Sequence, residues 1–116
     1  MILNEIKQKL EEVNNGQVYY AIVDESQKDM VWNYVVFERA KLAVSSNKTS
    51  YSDFYDVHIV CENFIPETLD KEVIGKMLEI DGMRLSSGDG TYNYVQKPNT
   101  KIVVEMLTLH FVRARK

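Results

Sequence analysis

The chain has 116 residues, 45% hydrophobic and 27% charged, with a formal net charge of −3 at pH 7. That length and balance fit one soluble globular domain that folds without staples, and the acidic balance argues against wholesale binding of nucleic acid. A single cysteine excludes an internal disulfide and gives no sign of an oxidising compartment.

The N-terminal segment "MILNEIKQKLEEV" predicts a helix. Ile2, Leu3, Ile6, Leu10 and Val13 recur at intervals of three and four, while the charged residues lie mostly off that stripe. Charges among the apolar residues also make it unlike a secretory signal. Asn14-Asn15-Gly16 supplies a helix stop. A short strand, Val18 to Val23, and a polar connection, 24–29, follow. The apolar runs are strand-length, far below the roughly 20 residues needed to span a bilayer, so no membrane partner is expected. With no lipidation motif at either end, the protein is expected to be cytosolic where it is made.

Residues 30–44, "MVWNYVVFERAKLAV", predict a long strand. Trp32, Tyr34, Val36, Ala40, Leu42 and Val44 share one parity, with Glu38 as the polar exception, and are expected on one mostly buried face. After the polar loop "SSNKTS", the next strand carries Tyr55, Val57, Ile59 and Cys61 on one face and Phe54, Asp56, His58 and Val60 on the other. The two strands and their six-residue connection predict an extended antiparallel hairpin.

Pro66 suits the start of a second helix, with Leu69, Val73, Met77 and Ile80 as its apolar stripe, early acids at Glu67 and Asp70, and Gly82 as its stop. Two strands close the chain: Met83 to about Gln96, interrupted by "SSGDG", then Lys101 to Arg113. The fold class is α+β: a mainly antiparallel sheet of about five strands, two helices on one face, order α-β-β-β-α-β-β, in one domain.

His58 and Cys61 invite a nucleophile-and-base reading, but positions three apart on a strand point to opposite faces. Cys61 therefore reads as a small buried hydrophobe. His110, on the last strand with Ile102, Val104, Met106 and Val112, reads as a hydrogen-bonded histidine in or beside a packed sheet. Without paired ligand spacings there is no case for a metal. "SSGDG" matches no phosphate-cradling motif and reads as a turn or bulge. Tyr92 and Tyr94 alternate with Asn93 as an exposed or half-buried strand would, but the RNA-binding sheet pattern is absent, so no specific nucleic-acid binding is expected. No catalytic residue, cofactor site or enzyme activity is expected.

Several stretches together resemble the tail terminator, or tail completion, proteins of long-tailed bacteriophages and their prophage relatives. They are the helix before "VYYAIV", "VWNYVVFERA", "YSDFYDVHIVCEN", "PETLDKEVIGKMLEIDGMRL" and the final "KIVVEMLTLHFVRAR". The basic end, Arg113, Arg115 and Lys116, departs from the family's pattern. The resemblance implies a non-enzymatic virion protein. It would form a ring with itself, a hexamer or a monomer when free, on the head-proximal end of the tail tube. Its partners would be the tail tube protein and the head-tail connector or neck proteins. It would be found in the host bacterial cytoplasm during assembly, then in the virion tail and neck. A closing ring needs two different complementary surfaces on each subunit. The residues expected there are Lys41, Asn47 and Lys48 on the hairpin, Asp70 and Glu72 on the acidic helix, and Arg113 on the last strand. The competing class is a small α+β module binding a metabolite or peptide against its sheet, with no virion role. Its mark would be a pocket with convergent polar groups.

Overall fold

The apolar stripes of the two predicted helices become buried seams on one side of a single sheet. The computed structural model describes residues 2–14, 17–21, 33–47 and 49–115. The chain runs α1 (Ile2–Asn14), β1 (Val18–Tyr20), β2 (Tyr34–Val44), β3 (Tyr51–Glu62), α2 (Glu67–Leu78), β4 (Met83–Leu85), β5 (Thr91–Gln96) and β6 (Val103–Arg115). The expected helix stop at Asn15–Gly16, the strand end at Ile22–Val23, the connection 24–29, the strand start at Met30–Trp32, and Lys48 and Lys116 lie outside the described residues.

The α+β class holds, with six strands among the described residues, in the order β1-β2-β3-β6-β4 and β5 also on β6. The stretch expected from Met83 to Gln96 forms two strands in line along one edge of β6. β4 pairs with Phe111–Arg113, and β5 with Val103–Thr108. Between them "SSGDG" bridges the gap: Ser86 N–H donates to the His110 carbonyl at 3.0 Å. A Cβ on Gly90 would meet the Thr108 carbonyl at 3.1 Å and the tips of Leu107 and Leu109 at 3.0 Å. A side chain there would force its neighbours to give by a few tenths of an ångström, and glycine lets the loop pass close to β6 without that.

All pairings are antiparallel except β1 with β2, which is parallel, Val18 opposite Val35. β1 ends after three residues, where Ala21 turns to φ 64° and its N–H donates to the Phe37 carbonyl.

Alternation sorts the sheet into two faces. Val35 and Phe37 of β2, Tyr55, Val57, Ile59 and Cys61 of β3, and Leu107, Leu109 and Phe111 of β6 form the core face. Ile6 and Leu10 of α1 and Val73 and Met77 of α2 close over it. The helices are tied together by Lys9 and Glu79 at 3.0 Å. α2 begins after Pro66, which offers no side-chain cap. Instead the Glu105 carboxylate accepts the Ile65 N–H at 2.8 Å, pinning the entry to β6. Beyond the helix, Gly82 at φ 81° turns the chain into β4, a conformation glycine adopts without steric cost.

The set expected on one buried face of β2 is split. Val36 is buried, but on the side without helices, while Val35 and Phe37 take the core. The pairing register shifts between Arg39, opposite Tyr55, and Lys41, opposite Phe54. This bulge inserts one residue and reverses the parity beyond it. Leu42 and Val44 consequently face the helix side, and there they are 52% and 48% exposed. The hairpin projects as one end of a body measuring 52 × 27 × 24 Å.

Candidate functional site

His58 and Cys61 stand on opposite faces, as strand geometry requires. Cys61 belongs to the helix-side core, and burial, with the nearby Glu105 carboxylate, pushes its thiol pKa up. A thiol so placed is inert rather than nucleophilic. Among the described residues no three histidine, cysteine or acidic side chains converge as a metal site would require.

The helix-free face carries an arrangement that single-strand reasoning missed. His58 Nε2 lies 2.5 Å from Glu38 Oε1, and its Nδ1 lies 2.8 Å from Thr108 Oγ1. One rung along, His110 Nδ1 meets Asp56 Oδ1 at 2.6 Å. In a neutral imidazole, Nε2–H donates to Glu38 and Nδ1 accepts the Thr108 hydroxyl. Carboxylate, imidazole and hydroxyl thus line up in the order used for nucleophilic catalysis. Access is what is missing. Thr108 is only 9% exposed, in mid-strand between His58 on β3 and Thr91 on β5. The chain acts as a rung of hydrogen bonds joining β2, β3 and β6, flanked by buried Val36, Val60 and Val112. Its members lie 20 and 50 residues apart, so no local motif announces them. The only sequence signal was the even-numbered face of the third strand, read against its pairing partners.

The expected interface residues fall into separate groups. Lys41 lies on the hairpin, its ammonium 4.5 Å above the Phe54 ring. Asn47 sits at the tip, where its side-chain oxygen accepts from Thr49 N–H at 3.2 Å, Thr49 Oγ1 at 2.7 Å, and the Ser45 hydroxyl. Lys48 is outside the described residues. Arg113, on β6, donates from Nε to the Asp81 carbonyl at 2.9 Å. Asp70 and Glu72 belong to the first half of α2, and Asp70 Oδ1 accepts the Lys71 N–H at 2.6 Å. The structure does not bring hairpin and helix residues together. Eleven residue-to-residue steps along β3 separate Tyr51, near the tip, from Glu62, near the start of α2, about 36 Å of strand.

Of the exposed and half-buried readings of the strand around Tyr92 and Tyr94, the structure takes the exposed one: every residue of β5 is exposed, with Tyr94 at 60% and Val95 at 55%, and among the described residues β5 pairs with β6 alone. Near the hairpin, a cleft of about 400 Å³ is lined by Ile2, Arg39, Asp53, Tyr55, Arg113 and Arg115. Asp53 is held by Arg115 through two hydrogen bonds, at 2.6 and 3.0 Å. Burial pushes the Tyr55 phenol pKa up, and Asp53 adds to this while the three arginines oppose it.

This fold has a counterpart in a virion. A chain described as "Virion of native gene transfer agent (GTA) particle" superposes with a TM-score of 0.50 over 96% of this chain and 92% of that one. The two are 13% identical in sequence, so the likeness is one of fold. No family model and no curated protein matches the sequence.

Proposed function

We propose that the protein is a non-enzymatic structural component of a phage-derived virion, a tail terminator or tail completion protein. In this reading copies close into a ring, a hexamer, on the head-proximal end of the tail tube. The ring halts tube growth and offers its outer surface to the head-tail connector or neck proteins. The observation that carries the reading is the match of fold, over nearly the full length of both chains, with a chain of a virion. The element order and the quoted stretches supply the narrower assignment to the tail terminus.

The geometry suits the role. The hairpin and the start of α2 lie at opposite ends of an elongated body, so each subunit presents two unlike surfaces. Such heterologous contacts generate rings when the rotation closes. Half-exposed Leu42, Val44 and Tyr51 on the hairpin, and the edge of β5 that no described residue pairs with, are surfaces that a docked neighbour or tube would cover. The decisive experiment is tail assembly without the protein. Tubes should be overlong or unable to join heads. Normal-length tails that join heads efficiently in its absence would refute the assignment.

A further inference from the structure

We propose that the arginine-lined cleft beside the hairpin is a socket for the acidic first half of α2 of a second copy of this chain. The inference rests on the ring reading and names one contact within it.

The cleft is built for negative charge. Three guanidinium groups face one carboxylate, and that carboxylate, Asp53, is already taken up by Arg115 in a two-bond pair. Arg113 is oriented by a backbone carbonyl, which fixes its position without neutralising it. Arg39 is exposed and makes no hydrogen bond or ion pair among the described residues. The cleft therefore keeps two positive charges in excess, on side chains whose planar forks suit carboxylates. Tyr55, buried elsewhere, joins the lining.

The complementary charge lies at the other end of the same molecule. Glu67, Asp70 and Glu72 lie within six residues of α2, with Lys71 the only cation among them. Glu67 and Glu72 are exposed and take no partner among the described residues. Two negative charges remain in excess there, matching the cleft in magnitude and opposite in sign. Within one subunit they cannot meet, because the length of β3 lies between them. Between subunits they meet cleft to helix, since cleft-to-cleft and helix-to-helix approaches set like charges together. The charge layout thus favours contact between unlike surfaces, the kind of contact from which a ring is built.

The test uses the full-length chain in sedimentation velocity at low and high salt, with two charge-reversal variants, Arg39→Glu and the double variant Glu67→Lys/Asp70→Lys. All the side chains changed are on the surface or half-buried, and circular dichroism melts check that each variant folds. The wild type should self-associate at high concentration in low salt and dissociate as salt rises. Each variant alone should associate about tenfold more weakly. Mixed in equal amounts they should associate more strongly than either does alone, because the unaltered cleft of the helix variant then receives the unaltered helix of Arg39→Glu. A variant that associates like wild type, a mixture that stays apart, or a wild type monomeric at millimolar concentration in low salt would each overturn the socket. The ring reading fails separately, through tails that assemble normally without the protein.

Discussion

Phe111 offers the sharpest separation of folding from assembly. It is fully buried on central β6, opposite Tyr55 on β3 and Leu85 on β4, inside the cluster closed by both helices. An aromatic side chain buries roughly 150–250 Å². At about 25 cal/mol per Å² that is about 4–6 kcal/mol, of which the alanine that replaces it keeps a small share. Phe111→Ala should therefore cost about 4 kcal/mol, within the range of about 3–5 kcal/mol seen for such truncations. A domain of this size is stable by about 5–15 kcal/mol, so the variant loses about a quarter or more of the total. The melting temperature should fall by about 15 °C, at about 4 °C per kcal/mol. Leu42→Ala is the comparison. That side chain is 52% exposed on the hairpin, so it should lose less than about 1 kcal/mol. On the ring reading it should nevertheless impair tail assembly at temperatures where it is fully folded. Urea titration followed by circular dichroism gives both stabilities, and complementation of tail formation gives the second readout. A loss below about 1 kcal/mol for Phe111→Ala would refute the core as described. Equal stability losses in the two variants would refute the division between core and docking surface.

The thiol of Cys61 should resist a thiol-specific reagent in the native protein and react in denaturant, since burial both blocks it and holds it protonated; rapid native labelling would contradict this. Cys61→Ala should fold normally and lose about 1 kcal/mol from the small cavity. Thr108→Val should cost about 1 kcal/mol, because it takes away the hydroxyl bonded to His58 and leaves the imidazole nitrogen without that partner; an unchanged denaturation midpoint would remove the rung from the account. The Lys9–Glu79 tie lowers the carboxyl pKa of Glu79 and raises the ammonium pKa of Lys9, each chiefly through their shared hydrogen bond. Its contribution should be complete between about pH 5 and pH 10, fade as pH falls through the lowered Glu79 value, and fade again as pH rises past the raised Lys9 value. Melting curves of wild type and Glu79→Gln should differ most inside that window and converge outside it; a constant difference across the whole range would refute the linkage.

Local pattern determined a good deal by itself. The three-and-four spacing of Ile6 and Leu10, and of Val73 and Met77, placed both helices and their buried faces, because a helix repeats its side chains every 3.6 residues. Alternation from Tyr55 to Cys61 fixed the core face of β3 and so separated His58 from the thiol. The hairpin and the break at "SSGDG" were equally legible, since polar residues and glycines interrupt the alternation there. What the sequence left open was every fact that depends on partners distant along the chain. The bulge at Ala40 shows only in the pairing of β2 with β3, yet it reverses which side Leu42 and Val44 face. The parallel pairing of β1 has no local signature. The chain Glu38–His58–Thr108 gathers residues from three separate segments, and the arginine cleft from four. Periodicity says which side of its own strand a residue takes; only the sheet's register decides which charged groups share a rung or a cleft.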